Sequence, residues 1–268
     1  MSTSTAKNEA TRINGHLRLI YKFSTLLSIF MILWILLLPG TAFHTSTANW
    51  RDTIRSKMES EYVPLPQQLN TKYKNQTMVQ LTHILPAVIW VACIPFQFHK
   101  GFRKDYKKLH RVMGRVFVYD SFVMMFGFGL IVYKKLTFEH YLEQVELVKL
   151  PNFDITVTDF FLGLVALAFV GCACKAVSAA KKKKFMEHQY WMIRHVALGL
   201  WVSLQRVMIL GFVNVWMIFY KGTIATDEFK GKVFGNTGFA AMAICMALGE
   251  YTIGLLKMQQ KNMVKKKV

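Results

Sequence analysis

The chain has 268 residues, 53% of them apolar and 14% aromatic, with 34 basic side chains against 15 acidic ones. That charge balance would suit a nucleic-acid binder, but no nucleic-acid motif accompanies it, and long apolar runs leave little room for a separate soluble domain.

In chain order, a polar stretch of about twenty residues precedes a first apolar run, Ile20 to Leu38. No small-residue cleavage site follows it and it leads into Pro39 and Gly40, so it is expected to be an uncleaved signal anchor. In the first loop, Asn49 and Asp52 resemble a helix cap, and Trp50, Ile54 and Met58 recur at four-residue spacing. A short helix lying in the outer interface is predicted, stopped by Pro64 and Pro66. Asn75, Gln76 and Thr77 form a glycosylation sequon close to the membrane surface.

Further runs follow at Val79 to Phe98, Val112 to Tyr133, Ile155 to Val177, Tyr190 to Tyr220 and Val233 to Leu256. Each of the six can cross a hydrocarbon core of about 30 Å as an α-helix. The third loop carries Glu139, Glu143 and Glu146 together with Tyr141, Leu142 and Val145, which suggests another surface helix. All four cysteines, Cys93, Cys172, Cys174 and Cys245, fall inside runs and read as small core residues. The last residues, Lys265 to Val268, resemble a dilysine retrieval signal, although a basic flank needs no such role. The endoplasmic reticulum or the plasma membrane is expected if the host is eukaryotic.

The loops alternate in charge. The N-terminus, the second and fourth loops and the C-terminus hold 22 basic and three acidic residues, whereas the other three loops hold 11 basic and nine acidic ones. This positive-inside pattern predicts an all-α bundle of six transmembrane helices with both termini cytosolic. The expected organisation is a cytosolic tail over 1–19, a transmembrane domain over 20–256 with an outer loop at 41–78, and a basic cytosolic tail over 257–268. The expected partners are the bilayer and the anionic lipids of its cytosolic face, not nucleic acid, and self-association as a homo-oligomer stays open.

A charge at bilayer depth costs roughly 2.5 to 3.5 kcal/mol on insertion scales and needs a partner or a purpose. Arg206 sits near the middle of the fifth run, and Asp120, Asp159 and Glu250 are the acids that could meet it. Either a structural ion pair or a contact to a substrate, proton or cofactor carboxylate would explain it. His188, Met192, His195, Gly199 and Arg206 form one stripe at about 100° per residue, expected to face the bundle. Gly199 would let a flat ring or another helix approach. His83 reads as a buried polar or proton-handling residue.

At the cytosolic end, His110 can meet His188 or His195 from a facing helix. That is how a b-type haem is held, with His110 and His188 as candidate iron ligands, His195 as the alternative, and Arg111, Arg115 or Arg194 on the propionates. Headgroup binding would select the same residue types. Soluble-enzyme signatures such as a phosphate loop, a paired-histidine zinc motif or a nucleophile elbow are absent.

Thr82 and His83 with Phe96, Gln97 and Phe98, the run Leu109 to Val116, and His188 to Arg194 together resemble the family of predicted multi-pass membrane proteins known as domain of unknown function 2306. The likeness covers about Met78 to Arg206. It implies a shared intramembrane site with polar positions at His83, His110, His188, Arg194 and Arg206, and no established activity. His195 is not among those positions.

Three functions remain open on these residues. The first is a haem-binding membrane redox protein. The second is a carrier or lipid-interacting protein that binds an anionic or protonatable ligand at Arg206 and the histidines. The third is a scaffold whose polar residues serve helix packing alone.

Overall fold

A computed structural model describes residues 3–37, 56–58, 60–66, 72–73, 75–137, 146–150 and 153–265. Among these residues the fold is made of six long helices: α1 (Thr3–Leu37), α2 (Thr77–Phe98), α4 (Lys107–Tyr133), α5 (Val157–Lys181), α6 (Phe185–Phe219) and α7 (Asp227–Lys265). The six-residue α3 (Lys100–Asp105) turns the chain between α2 and α4, with the His99 Nδ1 accepting from the Phe102 N–H as its cap. All six long helices are long and apolar enough to cross a membrane. At 1.5 Å per residue α6 is about 50 Å long, so its ends outrun the hydrocarbon.

Helix ends differ from the apolar runs because polar turns that continue a helix carry no hydropathy signal. Helix α1 begins at Thr3 and α7 continues to Lys265, well into both predicted tails. Helix α5 starts on a reciprocal capping box, in which the Thr156 hydroxyl accepts from the Asp159 N–H and the Asp159 carboxylate accepts from the Thr156 N–H. Asp159 is therefore a cap and not a partner of Arg206. The third loop is corrected at Glu146, which opens a β-strand instead of a surface helix. Strand β1 (Glu146–Leu150) pairs antiparallel with β2 (Phe153–Thr156), Leu150 opposite Phe153. Glu139 and Glu143 lie outside the described residues, as does most of the predicted interfacial helix. Cys93, Cys172 and Cys245 are buried, but Cys174 is exposed.

Long-range bonds sort the connections between two ends of the bundle. At one end His16 shares a hydrogen bond with Tyr251, Gln259 donates to Asn14 at 3.0 Å, and Tyr21 donates to the Pro95 carbonyl at 3.2 Å. These tie the starts of α1 and the ends of α2 and α7 into the basic end. At the opposite end the Trp216 indole donates to the Tyr62 carbonyl at 3.1 Å, Ala225 N–H to the Glu61 carbonyl at 2.9 Å, and Lys134 to Gln76 at 2.8 Å.

Helix α2 is not a plain α-helix. Pro86 has no N–H for the Thr82 carbonyl and its ring would press on that oxygen. The backbone widens into a π turn over Gln80–Ile84, closed by the Leu85 N–H reaching back to the Gln80 carbonyl. Helix α4 seats directly on this turn at Gly127, where an added Cβ would lie 2.6 Å from the Thr82 carbonyl carbon and 2.7 Å from the His83 nitrogen. His83 is thereby turned toward α4.

Candidate functional site

The predicted stripe on α6 does face the bundle. His195 is wholly buried, at 0% exposure. Its Nδ1 lies 2.9 Å from the Phe169 carbonyl, and a carbonyl only accepts, so Nδ1 carries the proton. Its Nε2 then faces the Ser121 hydroxyl at 3.0 Å and the Trp90 indole N–H at 3.3 Å. That indole also donates to the Ser121 oxygen at 3.0 Å. Phe117, Phe169 and Trp90 enclose the imidazole, with the Phe169 ring centroid 4.0 Å away. Both nitrogens are engaged by the protein, so His195 has none left for an iron. The flat ring expected over Gly199 is the protein's own: an added Cβ there would meet the Trp90 indole at 2.5 Å.

Next to this knot, toward the end opposite the basic one, lies a cavity of about 260 Å³. Its wall is mostly aliphatic and aromatic, with His83, Thr158, Gln205, Arg206 and Tyr73 as the principal polar members. The Nδ1 of His83 lies 2.9 Å from the Met124 carbonyl and so carries the proton. Arg206 donates through Nη1 to Gln205 Oε1 at 2.9 Å, and Gln205 is itself fixed by donating to the Phe234 carbonyl at 2.9 Å. The guanidinium carbon sits 5.1 Å from the Phe234 ring centre and 5.8 Å from that of Trp34. Arg206 Nε and Thr158 Oγ1 are buried without a hydrogen-bond partner. Among the described residues no carboxylate pairs with Arg206, which speaks against the ion-pair alternative and for the other. Burial pushes the Tyr73 hydroxyl up to about 12, against the pull of the nearby Arg206 charge.

The acids proposed for Arg206 are elsewhere. Glu250 takes Arg194 bidentately, at 2.6 Å through Nε and 2.9 Å through Nη2, and the Arg194 guanidinium also lies 4.8 Å from the centre of the Trp191 ring. Asp120 is buried with Oδ2 unpaired.

At the basic end, the Nδ1 of His188 lies 2.9 Å from the Ala176 carbonyl, which leaves Nε2 as its lone-pair nitrogen. His110, half-buried, has Nδ1 without a hydrogen-bond partner. The arginines expected on haem propionates are dispersed: Arg111 and Arg115 are exposed on α4, Arg111 bonding its own helix at Lys107, and Arg194 is held by Glu250.

The family described as Predicted membrane protein (DUF2306) matches residues 80–227, more than half of the chain. The chain belongs to that family. No curated protein and no solved structure matches it. The DUF2306 region runs from the π turn through α6 and so contains His83, Trp90, Ser121, His195 and Arg206, while α1 and most of α7 lie outside it. Trp90, Ser121 and Tyr73 are site residues that reading the sequence missed. Trp90 alone left a trace, as an indole inside an apolar run, where its N–H needs a partner.

A second cavity, of about 610 Å³, opens at the basic end among α1, α2, α6 and α7. Leu200 of α6 lines both cavities.

Proposed function

We propose that this DUF2306 membrane protein binds a compact anionic amphiphile inside the bundle, its acid group on Arg206 and its apolar body in the surrounding cavity. The observation that carries the reading is a guanidinium on the wall of an apolar cavity with Nε unpaired and, among the described residues, no carboxylate against it. Arginine presents a rigid fork suited to a carboxylate or a phosphate, and inside a membrane such a charge marks a binding or transport position by default. Gln205 and the Trp34 and Phe234 rings pre-orient the fork. The volume stands near the lower end of the range of about 300–1,000 Å³ for small-molecule sites, which favours a small ligand. A π turn beside the cavity fits a ligand site, since such turns are frequent there.

The test is thermal unfolding of the detergent-purified protein with octanoic acid and with methyl octanoate. The acid raises the midpoint of the wild type, the ester does not, and Arg206→Gln loses the rise. Equal effects of acid and ester, or an undiminished rise in Arg206→Gln, would overturn the reading.

A b-type haem between His110 and His188 is the second reading. It is supported by the Nε2 of His188 being left as its lone-pair nitrogen and by the unpaired Nδ1 of His110. Against it, neither imidazole lines either cavity. Oxidised and dithionite-reduced absorption spectra after haem-replete expression decide it: a Soret band lost in His188→Ala supports haem, and a colourless protein removes it.

A further inference from the structure

The larger cavity differs in kind from the one at Arg206. Its walls are apolar side chains such as Leu27, Ile94, Val196 and Leu248, and its mouth carries Arg18, Lys22, Lys100 and Arg103. Among the described residues no aspartate or glutamate lines it. None of those four basic side chains has an ion pair or a side-chain hydrogen bond among the described residues. Three of the four are exposed, whereas Arg103 is half-buried on α3, and burial pushes its guanidinium down from its ordinary range. A partly desolvated cation without a counter-ion asks for an anion.

The cavity's depth identifies what kind of molecule carries that anion. Along α1 the lining runs from Asn14 to Leu27 and along α7 from Leu256 to Cys245, a rise of roughly 15–20 Å at 1.5 Å per residue. This is about one leaflet of a 30 Å hydrocarbon core. The charges stand at the end of the spans, where headgroups lie, and the apolar walls continue inward from them. Tyr21, donating to the Pro95 carbonyl, ties α1 to α2 beside the mouth. Gly249 and Ala197 let α7 and α6 close behind, an added Gly249 Cβ lying 3.2 Å from that of Ala197.

We propose that this cavity holds one anionic phospholipid of the leaflet at the basic end, its phosphate on Arg18, Lys22, Lys100 and Arg103 and an acyl chain between α1, α2, α6 and α7. The site is independent of the one at Arg206. Two of its four walls come from helices that lie wholly or mostly outside the DUF2306 match, so the lipid joins α1 and α7 to the family core.

The experiment is thermal unfolding of the full chain in a neutral detergent with added phosphatidylglycerol, phosphatidylcholine or inorganic phosphate, with native mass spectrometry counting retained lipid. Phosphatidylglycerol raises the unfolding midpoint and is retained as one molecule per chain, whereas the other two probes do neither. The double variant Arg18→Gln with Arg103→Gln binds it roughly tenfold or more weakly, as expected for two lost headgroup charges. Thr252→Trp, which fills the cavity with an indole, loses the retained lipid with the mouth intact. Equal stabilisation by phosphatidylcholine would overturn the charge selection, and stabilisation by inorganic phosphate would show a free-anion site. Should the double variant fold poorly, a wild type that retains no phosphatidylglycerol still refutes the proposal, as does undiminished binding in Thr252→Trp.

Discussion

His195 illustrates how a polar group survives at the centre of a helical bundle: its two nitrogens, the Phe169 carbonyl, the Ser121 hydroxyl and the Trp90 indole satisfy one another. Replacing it by leucine strands the carbonyl and weakens the indole's bonding, at about 1–3 kcal/mol for each group left unpaired. His195→Leu should therefore unfold at a markedly lower temperature than the wild type in detergent. Ser121→Ala should fall less, because the indole still reaches Nε2 at 3.3 Å. The placement of His195 on an inward stripe was legible from its spacing with His188 and Arg206, since helical periodicity fixes direction. Its partners were not, because they lie 105 and 74 residues away in the chain, and only packing brings them near. Arg206 was legible for the opposite reason: a charge in an apolar run stands out at once. That no acid among the described residues meets it could not be read, since Asp120, Asp159 and Glu250 were equally eligible until the helices were arranged.

Among the helices, the contact of α4 with the π turn depends most on a single position. Gly127 has backbone, not a movable side chain, where a Cβ would go. Gly127→Ala must push α4 away from α2, with the cost of about 1–3 kcal/mol typical of overpacking and a disturbed His83 to Met124 bond. Thermal unfolding of Gly127→Ala beside Gly129→Ala checks this, because Gly129 has nothing within 4 Å and should tolerate the methyl. The six long helices were legible as apolar runs, and the Thr156 to Asp159 box could have marked the start of α5 directly. The far ends of α1 and α7 were not, since their lysine, glutamate and glutamine residues continue a helix without any apolar signal. The start of the β1–β2 hairpin was missed because Glu146 continues the four- and three-residue spacing of Glu139 and Glu143, which suggested a helix face.

The bundle as a unit has two unlike ends, and the alternation of loop charge had already separated them. The distribution predicts the basic end in the cytosol. In a background without the native cysteines, Asn75→Cys should react with a membrane-impermeant maleimide on intact cells and Lys183→Cys only after permeabilisation. The reverse pattern would invert the orientation. Both cavities escaped the sequence, because an internal space is made by side chains of several helices failing to meet, and no single segment records it.

Among the described residues Leu200 is the one side chain common to the linings of these two spaces. It is buried, and the Ser203 hydroxyl one turn on anchors α6 to the Leu27 carbonyl of α1 at 2.7 Å. One isobutyl group is thus part of the wall of two chambers, the one that holds Arg206 and the one whose mouth is basic. Any change of volume at position 200 is therefore felt in both spaces at once.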